Sequence, residues 1–207
     1  SLAEVRSTFE TLAKTDPLWT VLTLKRYKHN RWDPAEFFGT GSAEIQEVLD
    51  YVEGLGVEIR WGRALDFGCA VGRLSQPLGD RFAEVVGVDI AESFLDLVRE
   101  YNRHGTRCRF VHNTRDDLTL FEDASFDFIY SNITLQHIPP EHSKKYMAEF
   151  FRLLRPGGIA VFQVPGGWTA FDGTASWCLR RLRWCTTAPL KRWWKQVRGQ
   201  PLIGMYA

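Results

Sequence analysis

Residues 63–78 read RALDFGCAVGRLSQPL. Ala64-Leu65-Asp66-Phe67 is an apolar run of strand length that stops at Gly68; the small-residue turn GCAVG follows, and Arg73-Leu74 begins a helical pattern. A strand, a tight turn of small residues and a helix make a cradle for a nucleotide-like ligand. The small side chains let the backbone approach it, and the free N–H groups of the helix start point at it. Asp89 ends a second apolar run, Val85-Val86-Gly87-Val88, 21 residues beyond Gly68. An acidic residue at about that distance, on the tip of the neighbouring strand, can accept hydrogen bonds from a ribose.

The spacing inside the turn narrows the ligand. A dinucleotide fingerprint, G-x-G-x-x-G, places its last glycine five positions after the first. Here, in Asp66-x-Gly68-x-Ala70-x-Gly72, the last glycine comes four positions after the first, which disfavours a dinucleotide-dependent oxidoreductase using NAD. The pattern resembles the D/E-x-G-x-G-x-G signature of class I S-adenosylmethionine-dependent methyltransferases. Ala70 stands where that family usually has its middle glycine. Two later stretches strengthen the resemblance: residues 125–140, SFDFIYSNITLQHIPP, and residues 150–158, FFRLLRPGG, the latter read as an architectural turn into a strand.

The resemblance implies S-adenosyl-L-methionine as cofactor, S-adenosyl-L-homocysteine as product, and a set of binding residues. Gly68, Cys69, Ala70 and Gly72 would form the turn, while Asp66 would organise it and bond, often through water, to the donor's amino-acid end. Arg73 is placed to meet the donor carboxylate with a charge-assisted bond. Asp89 would take the ribose hydroxyls and Ile90 would pack on the adenine. Asn113, Asp116, Asp117 and Leu118 follow the third strand, where similar enzymes read the adenine edge. Ser131, Asn132 and Ile133 leave the fourth strand beside the sulfonium. His137 is either a general base, its pKa being near working pH, or a histidine that packs beneath the site.

Around this centre the chain alternates strand and helix. Ser42 is expected to cap a helix whose apolar stripe is Ile45, Val48, Leu49, Val52 and Leu55. Helices over residues 73–81, 92–103 and 140–154 are expected, with strands at 85–89, 109–112, 126–131 and 159–164, and a turn at Pro156-Gly157-Gly158. This predicts a doubly wound α/β domain: a mainly parallel sheet, helices on both faces, the first strand central and the ligand across the carboxyl ends of the strands. Residues 1–41 form a helical appendage or lid, 42–166 the donor-binding core and 167–207 a segment beyond the fifth strand. Trp32, Phe37 and Phe38 of the appendage either touch ligand or pack it onto the core.

Composition bounds the rest. Of 207 residues 44% are apolar and 25% charged, with a net charge of +1, which describes an ordinary globular chain of one domain plus an appendage. No apolar run reaches membrane-spanning length, and the N-terminus lacks the apolar core of a secretory signal. The four cysteines have no C-x-x-C spacing, so a reducing, cytoplasmic setting is the simplest reading. No carboxylate–histidine cluster suggests a metal.

Residues 173–207 hold seven basic residues and no acidic one, and five of the eight tryptophans lie between Trp168 and Trp194. Basic residues mixed with tryptophan over 177–198 suit a membrane interface or an anionic or lipid-linked acceptor, with nucleic acid the less favoured partner. The alternative is a cap whose tryptophans pack on the sheet. Residues 199–207 leave no room for the antiparallel strand pair that usually closes such a sheet. The sequence therefore reads as a fragment with an open edge, which invites pairing with another chain. The expected activity is methyl transfer to a small-molecule, lipid-linked or glycan-linked oxygen or nitrogen; the alternative is a non-catalytic donor-binding module.

Overall fold

Each strand is a short, nearly continuous apolar run, the pattern of a parallel sheet covered on both faces. The structure, a computed structural model, describes residues 1–164. In it the sheet has five strands: β1 (Arg63–Phe67), β2 (Glu84–Asp89), β3 (Cys108–His112), β4 (Phe126–Ser131) and β5 (Leu154–Phe162), in the order β3-β2-β1-β4-β5. Every pairing is parallel, with β1 between β2 and β4. The order reverses at β1, so the carboxyl ends of β1, β2 and β4 open a crevice there.

Two apolar layers flank the sheet. Ile45, Val48, Leu49 and Val52 of α3 (Pro34–Gly54) meet Ala64, Val85, Phe128 and Tyr130, with Leu78 of α4 (Ser75–Gly79). On the other face Tyr146, Phe150 and Leu153 of α6 (Pro140–Leu153) meet Leu65, Phe67, Val86 and Ile129. Burying each such side chain contributes roughly 1.5–3 kcal/mol. A third cluster joins α1 (Leu2–Thr15) and α2 (Pro17–Val21) to Val71 of the loop and Phe94 of α5 (Glu92–Tyr101).

Three boundaries differ from expectation. Helix α3 begins at Pro34, capped by Asp33, whose side chain accepts the Glu36 N–H; Ser42 lies inside it and bonds back to the Phe38 carbonyl. Proline at the first helical position lacks an N–H that would be unpaired anyway, so Pro34 starts the helix and does not interrupt it. The helix therefore runs through the boundary expected at residue 41. Helix α4 is only five residues long because residues 71–74 still turn tightly. β5 starts at Leu154, and the Pro156-Gly157-Gly158 segment is an irregularity within it: Phe126 pairs with Leu154, but Phe128 with Ile159. The bulge lets Arg155 reach the buried Asp127 carboxylate, which also accepts the Arg63 N–H.

The segment 167–207, its 177–198 surface and the expectation that no closing strand pair follows concern residues outside those described.

Candidate active site

The turn between β1 and α4 is folded back on the end of β2. The Gly68 and Cys69 N–H groups both donate to the Val88 carbonyl, at 2.8 and 3.1 Å. Gly68 has φ +81° with Thr134 packed against its α-carbon, and Gly72 has φ +80° against Val98. A side chain at either would be strained and would collide. Ala70, with φ +45°, is the exception, an L-residue in the left-handed region. Its N–H is held by Asp89 Oδ2 at 2.9 Å, while Oδ1 accepts the Ala91 N–H at 2.9 Å. The left-handed conformation costs an alanine about 1 kcal/mol relative to glycine, partly offset by glycine's greater freedom when unfolded. Ala70→Gly is thus expected to raise stability by up to about 1 kcal/mol, read as a higher urea midpoint.

Asp89 therefore anchors the turn and still has acceptor capacity, since each carboxylate oxygen offers more than one lone pair. Burial pushes its pKa up, opposed by the Ala91 and Ala70 amides. Asp66 is deeper. It accepts the Ser75 hydroxyl at 2.5 Å on Oδ2, Oδ1 has no partner, and burial raises its pKa to about 7. A carboxyl raised in the folded state holds its proton there while the unfolded chain releases it. Stability should therefore fall as pH rises from about 4 to 7, by a few kcal/mol from this group. Asp66→Asn keeps an acceptor for Ser75 and should flatten that part of the stability–pH curve, measured by thermal unfolding across the range.

A cleft enclosing about 960 Å³ of free space, mouth included, opens over this turn, within the range of ligand sites. Gly68, Cys69, Ala70 and Arg73 line its floor, Asp89, Ile90 and Asn113 one end, and Asn132, Ile133 and His137 the other. Helices α1 and α2 roof it with Leu2, Val5, Phe9, Thr20 and Val21. Glu10 of α1 holds the roof down: its Oε1 accepts the Glu92 N–H at 2.6 Å, and Oε2 accepts from Ser93 at the start of α5. The roof thus comes from α1 and α2. Trp32 and Phe37 are buried among Ala13, Leu22 and Val71, and with Phe38 they pack the appendage instead of lining the cleft.

Several expected ligand contacts serve the protein itself. Arg73 is 3% exposed and gives its Nη2 to Glu44 Oε2 at 2.8 Å and its Nη1 to Thr40 at 3.4 Å, leaving only a buried Nε unpartnered. Gly41 makes this possible, because a side chain there would strike the Arg73 carbonyl. Asp66 and Gly72 support the turn from behind. Ser131 ties β4 to β1 through the Phe67 carbonyl at 2.9 Å. Asp116 faces away from the cleft toward Lys145 and His142, Asp117 folds onto Thr119 and Arg115, and Leu118 is core, its N–H on Glu149. Of that quartet only Asn113 reaches the cleft, its side chain shaping the loop through the Asp117 carbonyl and the Arg115 N–H. Burial keeps the Cys69 thiol far above its ordinary pKa, so it is no nucleophile.

His137 lines the cleft half-buried, its Nε2 3.2 Å from the Gln136 amide and its ring edge-on to Phe9 at 5.6 Å. Glu44 was not singled out from sequence. It accepts Arg73, the Tyr130 hydroxyl at 2.8 Å and the Asn132 amide at 2.7 Å. Its signal was an acidic residue inside the apolar stripe of Gly41, Ile45 and Val48.

A family model described as a methyltransferase domain matches residues 64–158, the stretch from β1 into β5. The biotin biosynthesis bifunctional protein BioHC of Cellvibrio japonicus is 29% identical over 85% of this chain and 33% of its own. A ubiquinone biosynthesis O-methyltransferase of Bordetella avium is 26% identical over 63% of this chain and 54% of its own. Among solved structures, phosphoethanolamine N-methyltransferase 1 of Haemonchus contortus, in complex with phosphoethanolamine and S-adenosylhomocysteine, superposes with a TM-score of 0.62 at 14% identity, over 78% of this chain and 31% of that one. The chain spans less than two thirds of each of these proteins. Over residues 64–158 the chain matches a methyltransferase domain, and these relatives together with the fold support a class I S-adenosylmethionine-dependent methyltransferase.

Proposed function

We propose that this protein transfers a methyl group from S-adenosylmethionine, in line, to an oxygen or nitrogen of a small-molecule, lipid-linked or glycan-linked acceptor. The observation that carries the reading is the Asp89 carboxylate, tied to the Gly68–Gly72 turn at one end of a roofed cleft. The turn brings Gly68, Cys69 and Ala70 to the floor of the cleft, and the carboxylate beside them suits ribose hydroxyls. When bound, the donor supplies an activated sulfonium methyl.

Asp89 holds the ribose through the lone pairs not engaged by Ala70 and Ala91, Ile90 packs the adenine, and Asn113 closes that end. Asn132, its amide N–H held by Glu44, lines the other end and would offer its Oδ1 to the donor's ammonium. The sulfonium methyl is intrinsically activated, so catalysis rests mainly on alignment. For an alcohol acceptor, His137 would be the base, its Nε2 exchanging the Gln136 amide for the acceptor hydroxyl; a carboxylate acceptor would need no base. The buried, unpaired thiols of Cys69 and Cys108 support a reducing, cytoplasmic setting. Among the described residues no helix is long and apolar enough to cross a membrane. A membrane or anionic partner would meet the protein through 177–198.

Titration calorimetry tests the donor: micromolar binding of S-adenosylhomocysteine without binding of NADH is expected, and the reverse would overturn the reading. Labelled donor incubated with a metabolite extract then identifies the acceptor. Incorporation that His137→Gln reduces tenfold or more would assign the base to that residue.

A further inference from the structure

We infer that Gln163 is a positioning residue for the methyl-bearing end of the cleft. Ile133 has φ +58°, a conformation rarely adopted by a β-branched residue, and its side chain lines the cleft. Its N–H donates to Gln163 Oε1 at 3.0 Å, and the Gln163 N–H donates to the Ser131 carbonyl at 3.0 Å. One residue just beyond β5 thus grips the exit of β4 on both sides of its bend. On the opposite flank, Asn132 is held by Glu44 at 2.7 Å. The bend also sets Thr134 against Gly68, so its shape passes directly to the donor turn.

The sheet order separates the two ends of the site. Asp89 ends β2 and Asn113 follows β3 on one side of β1, while Ile133 follows β4 on the other. This inference rests on the donor placement proposed above, which puts the nucleoside at the first end and the sulfonium at the second. Gln163 then governs the methyl-bearing end without touching the nucleoside end. Because an N–H can only donate, position 163 must present an acceptor: glutamate preserves it, and methionine, of similar length, removes it.

The test compares Gln163→Met and Gln163→Glu in the full chain by calorimetry with S-adenosylmethionine, S-adenosylhomocysteine and adenosine, and by amide hydrogen exchange at Ile133. In Gln163→Met the preference for S-adenosylmethionine over S-adenosylhomocysteine should fall about fivefold or more. Adenosine affinity should stay within about twofold, and exchange at Ile133 should quicken at least tenfold. Gln163→Glu should keep slow exchange and an undiminished preference for the sulfonium, which its negative charge favours. Adding Ile133→Gly, which adopts the bend freely, should shrink the effect of Gln163→Met. An unchanged preference in Gln163→Met, or an equal loss for all three ligands, would overturn the proposal. If the parent protein bound none of the three, the donor placement itself would fail, and this inference with it.

Discussion

Replacing Glu44 by alanine is expected to destabilise the protein by about 3–5 kcal/mol, as breaking a buried ion pair does. The change strands the Arg73 guanidinium, which is 3% exposed and, among the described residues, has Thr40 as its one other side-chain hydrogen-bond partner. It also removes the acceptor for the Tyr130 hydroxyl and the Asn132 amide. Burial and the nearby Glu44 charge both hold the Tyr130 phenol well above its ordinary pKa, so Tyr130 is a donor in this network and needs an acceptor. Glu44→Gln should be milder, since it keeps one acceptor oxygen. Its own amide N–H groups then face donors. Urea unfolding measures both variants. A loss under about 1 kcal/mol for Glu44→Ala would mean that water enters and solvates Arg73 in place of the carboxylate.

Asp89→Ala should lower affinity for S-adenosylhomocysteine roughly 100-fold or more. Two hydrogen bonds to a charged acceptor are lost, each contributing about 1.5–3 kcal/mol. The Ala70 and Ala91 amides lose their partner as well, so the turn loosens in the same variant. Asp89→Asn should not rescue binding, because its amide nitrogen must face one of those two N–H donors. Calorimetry reads the effect, with thermal unfolding alongside to separate loss of the turn from loss of the protein. Unchanged affinity in Asp89→Ala would place the ribose elsewhere.

The sheet was legible because its signals are local. Strand runs such as Phe126–Ser131 carry their own period and stops, and the turn 68–72 fixes which strand is central. The start of α3 was harder. Pro34 is a breaker in one context and a first-turn residue in another, and only the Asp33 cap decides between them. At the site, the meeting of the 68–72 turn with Asp89 was legible because it depends on spacing along the chain, from Gly68 to Asp89. The roles of Arg73, Asp116 and Asp117 were not legible, since a charged side chain's partner is set in three dimensions. Arg73 meets Glu44, 29 positions away, and Asp116 meets Lys145, also 29 away. The roof was anticipated as a helical appendage, but its lining came from α1 and α2 and not from the conspicuous aromatics.

Glu10 joins two structures that are usually separate. It is a capping carboxylate for α5, yet it belongs to the roof. Lifting α1 therefore bares the first amides of the helix that directly follows Asp89 and Ile90. The seating of the roof and the capping of α5 thus rest on the same side chain. Because the contact is a carboxylate on a helix dipole, salt should loosen it.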